Sequence, residues 1–183
     1  DKIIIGGGIL KVKASGDGLD CEKGFIDIRG GLIKADISGD ASKAVKAETD
    51  ITLSGGQLIL LTSGSAVYED NDLSSAAGIK CDGNLVMNGT TLSVKSTGAA
   101  GNNCDGTLSI DNSTVKIITT GKQYVYNRLD SSAKGIKADG NLTINSGTIW
   151  VKTPGGEGSE GIESKSTLTV NGGDVSVYSY DDC

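Results

Sequence analysis

Apolar and polar residues alternate along most of this chain in short runs, and the runs return about every 23 residues. One set places apolar side chains at Ile3, Ile26, Ile51, Leu85, Leu108, Leu142 and Leu168, and again two residues later at Ile5, Ile28, Leu53, Met87, Ile110, Ile144 and Val170. Another supplies Leu10, Ile33, Leu58, Leu92, Val115, Ile149 and Val175, with Val12, Ala35, Leu60, Val94, Ile117, Val151 and Val177 two positions on. Such period-two alternation marks strands with one buried face. A shorter run precedes each pair: a small residue, a core-type residue, a polar residue and another small one, at 18–21, 44–47, 78–81, 101–104, 135–138 and 161–164. Aligned on Leu19, Val45, Ile79, Asn102, Ile136 and Ile162, these copies lie 26, 34, 23, 34 and 26 residues apart.

A repeat of this length buries its apolar face only by stacking on its neighbours. Three short strands per turn predict an all-β chain wound as a parallel β-helix of about seven rungs, and the strong bias of parallel connections makes it right-handed. Glycine-rich corners between the second and third strands, such as Gly30-Gly31, Gly55-Gly56 and Gly172-Gly173, fit this because a tight corner calls for positive φ. Residues 1–183 form one domain, and both ends read as cuts through a longer array. One column is broken. Asn102 stands where the other rungs place Leu, Val or Ile, which predicts a locally shifted strand or a turn asparagine, with a ligand or ion contact as the alternative.

Composition narrows the function. Twenty-eight glycines, one proline and 4% aromatic residues do not suit an ordinary globular core. A net charge of −6 without a basic cluster argues against nucleic acid. No apolar run is long enough to insert in a membrane. The absence of histidine excludes His-dependent catalysis and His-ligated metals. Cys21, Cys81, Cys104 and Cys183 form no CxxC pair. The first three occupy the small inward position of the repeat, and stacking also places Cys81 and Cys104 within disulfide range.

Candidate chemistry lies where the repeat is interrupted. Two insertions, 65–74 and 122–130, enter at the same corner 57 residues apart, or about 10 Å along the coil axis. They carry Tyr68, Tyr124, Tyr126 and Arg128. Tyrosine offers a flat apolar face and a hydroxyl, which suits a sugar, although the same rings could simply cover neighbouring apolar residues. Trp150, outward between Ile149 and Val151, is a further platform. The outward positions of the first strand read Asp20, Lys46, Lys80, Asn103, Lys137 and Glu163, flanked by Asp17, Lys43, Ala77, Ala100, Lys134 and Glu160. This ladder predicts cross-strand ion pairs, or lysines, Lys80 and Lys137 among them, presented to carboxylates of a uronate chain. Calcium needs six to eight oxygen ligands. Asp17, Asp20 and Asp40 at the first rung, Glu69, Asp70 and Asp72 in the first insertion, and the terminal Asp181-Asp182 are the candidate donors.

The repeat GIKxDGNLxxNxGTxxVKxxG, seen at 78–98 and 135–155, together with the segments S-G-D-G-L-D and S-Y-D-D-C, resembles bacterial secreted right-handed β-helix proteins described as carbohydrate-binding domain-containing. The resemblance spans essentially the whole chain. It implies a secreted or cell-surface, non-catalytic protein that binds polygalacturonate or cellulose-like glucan with calcium. The acidic G-D-G-[IL]-D rung of that family maps here onto Asp17 and Asp20 alone; lysine, alanine or asparagine replaces it in the next four rungs. A pectate-lyase-like eliminase, with Lys80 or Lys137 as base near residues 69–72, and a structural adhesin stalk are the alternative functions.

Overall fold

A computed structural model describes residues 1–98 and 100–181. None of the described residues is helical, and the strands fall into three parallel sheets and two small hairpins. Sheet 1 has six strands, from Leu19–Cys21 to Glu160–Ser164. Sheet 2 has seven, from Lys2–Ile5 to Leu168–Val170, and sheet 3 has seven, from Ile9–Ala14 to Asp174–Ser179. The chain visits sheets 2, 3 and 1 in rotation, and each strand pairs with those one turn before and after it. This arrangement is consistent with a β-helix or solenoid.

The predicted columns are the observed ones. In sheet 2, Ile3, Ile26, Ile51, Leu85, Leu108, Leu142 and Leu168 are consecutive register partners. In sheet 3, the file from Leu10 to Val175 and the file from Val12 to Val177 are likewise unbroken. Most of these side chains are fully buried in one apolar cluster between the sheets, because alternate residues of every strand point to the same side.

The strands of sheet 1 depart from strict alternation. In Ala77–Cys81, Ala100–Cys104 and Lys134–Ala138, the second and third residues are both buried. Glycine at the second position has a steric cause: a Cβ at Gly135 would run into Val151 of sheet 3 and the carbonyl of Gly161. The corners before sheet 3 take positive φ as expected, with 80° at Gly56; where glycine is missing, Asn112 adopts 44°.

Asn102 overturns one expectation. Its strand is not shifted and it is no turn residue: it pairs in register with Ile79 and Ile136 and is completely buried. Both its side-chain amide atoms lack a hydrogen-bond partner. Cys81 and Cys104 are register partners and buried, yet both are free thiols, as is Cys21. The neighbouring Cys104 thiol and burial push the Cys81 thiol far up, which leaves it inert at neutral pH. Cys183 and Asp182 lie outside the described residues.

Candidate glycan-binding cleft

Both insertions fold into antiparallel hairpins. The first joins Val67–Glu69 to Asp72–Ser74, the second Tyr124–Tyr126 to Leu129–Ser131. Their two-residue turns have positive φ at both positions, 51° and 66° at Asp70 and Asn71, 50° and 69° at Asn127 and Arg128. That conformation matches the twist of the flanking strands, and Asn and Asp tolerate it best.

The hairpins rise on either side of the bare strand Ala100–Cys104, and they lean together. The rings of Tyr68 and Tyr126 lie 4.4 Å apart between centroids at an interplanar angle of 40°. At the base, the Ser75 and Ser131 hydroxyls share a 2.6 Å hydrogen bond. Tyr68 and Tyr126 thus clasp each other instead of forming two platforms a disaccharide apart. Tyr124 lines a separate hollow of about 200 Å³ with Ala66 and Gln123, and Arg128 is exposed at the second turn.

Beneath the joined hairpins runs a cleft of about 420 Å³, within the size range of small-molecule sites. Its floor is the outer face of sheet 1, with Ala77, Lys80, Ala100, Asn103, Lys134 and Lys137. Its walls are the second strands of the hairpins, with Asp72, Leu73 and Ser74 on one side and Leu129, Asp130 and Ser131 on the other. Lys80 and Lys137, singled out from sequence, therefore share one site with parts of both insertions. Trp150 does not belong to it. It sits on sheet 3, 6.0 Å from the Tyr178 ring, with the Lys116 ammonium 5.3 Å over its own.

Ion pairing runs down the ladder, and it goes further than the sequence suggested. Lys46 meets Asp17 at 3.2 Å and Asp20 at 3.4 Å, and Lys134 meets Glu160 at 2.6 Å. The middle lysines take their partners from the Asp-Gly turns: Lys80 contacts Asp82 at 2.8 Å and Asp105 at 2.7 Å, and Lys137 contacts Asp139 at 2.9 Å. Burial pulls the Lys80 pKa down, but hydrogen bonds to Asp105 and Asp82 more than offset it and hold the ammonium above its usual value. Such a lysine is a poor base.

Lys43 behaves differently. No carboxylate of the described residues lies within ion-pair distance; its Nζ donates to the Ala41 carbonyl at 2.5 Å and the Ser74 hydroxyl at 2.7 Å. Burial, against the opposing charge of Asp17, holds its pKa below the usual lysine range. Between the two lysine pairs, Asn103 sits at the centre of the floor with a buried Oδ1 that has no partner. Lys43, Asn103 and Lys134 were visible in the sequence as ladder positions. What marks them as site residues is that the bare strand lies between the two insertions, a signal present in the 23-residue spacing.

The candidate calcium donors do not converge. Asp17 and Asp20 face Lys46, whose ammonium fills the place between them; Asp40 accepts a hydrogen bond from the Ser65 amide at 2.8 Å, and Asp72 from the Leu73 amide at 2.8 Å. Glu69 and Asp70 are exposed at the first hairpin turn. Among the described residues no group of three acidic or thiol side chains is placed to hold a metal ion. The described residues thus do not fit a calcium cage.

Fold and cleft together define a repeat-built all-β protein whose polar groove is suited to an extended, hydroxyl-rich ligand. The model of a family described as carbohydrate-binding domain-containing protein matches residues 1–123 and 100–183, and the chain belongs to that family. No curated protein and no solved structure matches the chain.

Proposed function

We propose that this protein is a secreted, right-handed β-helix of about seven rungs that binds plant cell-wall polysaccharide without cleaving it, and that the cleft between the hairpins is where the glycan lies. The observation that carries this reading is the floor of the cleft, where Asn103 stands with a side-chain amide that has no protein partner between the Lys43–Lys80 and Lys134–Lys137 pairs. The amide nitrogen of Asn103 can donate to a sugar hydroxyl, while the Lys43 ammonium favours a carboxylate of an acidic chain such as polygalacturonate. A cellulose-like glucan would use the same hydroxyls of Ser74 and Ser131 with less help from charge. Family membership supports carbohydrate as the ligand and suggests a non-catalytic role.

Calcium enters no step of this reading, because the ammonium of Lys43, which no carboxylate of the described residues pairs, supplies positive charge at the cleft. An eliminase would require an unpaired base: Lys80 is locked between two aspartates and Lys137 is held by Asp139, which leaves Lys43 as the base it would have to use. Retention on insoluble pectin and cellulose, compared between the wild-type chain and Asn103→Tyr, tests the site. The tyrosine fills the groove and should abolish retention on cellulose, and lower it on pectin, with the melting temperature unchanged; undiminished retention on both places the glycan elsewhere. Release of unsaturated uronides, read by absorbance, would show turnover and favour the eliminase. Addition of a chelator should leave retention intact, and its loss would bring calcium into the site.

A further inference from the structure

The chain carries no basic cluster in sequence, yet its fold assembles one. In sheet 3, two outward files run the length of the molecule. One reads Lys11, Lys34, Ile59, Ser93, Lys116, Trp150 and Ser176; the other, Lys13, Asp36, Leu61, Lys95, Ile118, Lys152 and Tyr178. Six lysines and a single aspartate thus share one strip in a chain of net charge −6. All six are exposed. Sheet 1 pairs all its lysines except Lys43 with acids, but sheet 3 does not: among the described residues Lys11, Lys34, Lys95, Lys116 and Lys152 have no ion-pair partner, and Lys13 reaches Asp36 only at 4.0 Å. Unneutralised like charges on neighbouring strands repel one another. Without a counter-anion this strip costs stability.

We infer that the outer face of sheet 3 is a second binding site, separate from the cleft, for a linear polyanionic polysaccharide lying across the strands. Its shape selects the ligand. The two files are about 7 Å apart and span six strand spacings, about 29 Å. The file beside them, Ile9, Leu32, Gln57, Thr91, Thr114 and Thr148, is uncharged up to Asp174 on the last strand. A strip two residues wide accommodates one extended chain, whereas a bilayer surface would engage a broad field of charge. At its far end the tilted Trp150 and Tyr178 rings offer apolar faces to sugar rings, and Lys116 over Trp150 adds charge beside that platform. Trp150, picked out from the sequence and absent from the cleft, finds its place here.

The choice of glycan over other polyanions rests on the carbohydrate-binding reading, so the test separates the two sites. A trigalacturonide probe, too short to span the strip, reads the cleft; long polygalacturonate cast in a native gel reads both. In an Asn103→Tyr background, with the cleft filled, long polygalacturonate should still retard the protein at low salt and cease to do so at high salt. Adding Lys34→Gln, Lys95→Gln and Lys116→Gln should weaken that retardation about tenfold or more, and the same three positions as arginine should restore it. Complete loss of retardation in Asn103→Tyr alone, or indifference to the three glutamines, overturns the second site and leaves the cleft standing. Failure of trigalacturonide to bind the wild-type chain counts against the cleft alone. Lysine-dependent binding to phosphatidylglycerol vesicles or duplex DNA, with none to polygalacturonate, would overturn the glycan assignment.

Discussion

Two residues whose side chains contradict their surroundings carry the clearest energetic consequences. Asn102 buries both amide atoms without a partner in a column of isoleucines, and an unmet polar group of this kind costs about 1–3 kcal/mol. Asn102→Ile should therefore raise stability in thermal denaturation. A fall would mean that the amide holds a buried water or ion displaced by the apolar side chain. The break at Asn102 is legible in the sequence, but its outcome is not, because alternation locates a position without saying whether the backbone moves to rescue it. Titration adds a second test. Burial and the adjacent Glu160 carboxyl hold Glu163 above the usual glutamate range, so its proton is bound more tightly in the folded chain. Its contribution favours folding at low pH and is lost as pH rises through that raised value. Asp139 has the opposite sign. Burial raises it, but hydrogen bonds from Lys137 and Lys165 more than offset this and hold it low, so its contribution is present above the ordinary aspartate value and lost as pH falls through the depressed one. Glu163→Gln should raise the melting temperature at neutral pH, whereas Asp139→Asn should lower it there and flatten the acid limb of the profile.

The strands and the hairpins differ in how far sequence determines them. Sheet-1 strands read correctly down to their small residues, since the second position must clear a side chain of sheet 3. Gly135→Ala should cost about 1–3 kcal/mol by overpacking against Val151, and a neutral result in chemical denaturation would show that the strand can move aside. The insertions were legible as loops at one corner, but their mutual contact was not. Nothing in the spacing of Tyr68 and Tyr126 tells which way each hairpin leans, and the rings that looked like two platforms form one clasp. A double-mutant cycle on Tyr68→Ala and Tyr126→Ala should give a coupling of about 0.5–1.5 kcal/mol. Additive effects would mean that the rings act separately, as platforms would.

Across the whole molecule, the register of three parallel sheets follows from period-two alternation repeated at near-constant spacing, because a slip of one residue would turn every buried side chain outward. The charge distribution is a different matter. Lysines about 21 to 36 residues apart in sequence become neighbours only through that register, which is how a chain with no basic run acquires a basic face. Sheet 1 directs its charges inward to aspartates and glutamates around a groove, and sheet 3 leaves them open to solvent. A crystal structure with trigalacturonide bound tests the central claim most directly. The account predicts sugar density over Asn103, between the Leu73 and Leu129 walls, with carboxylates turned toward Lys43 or Lys134; sugar bound only outside the hairpin groove would contradict it.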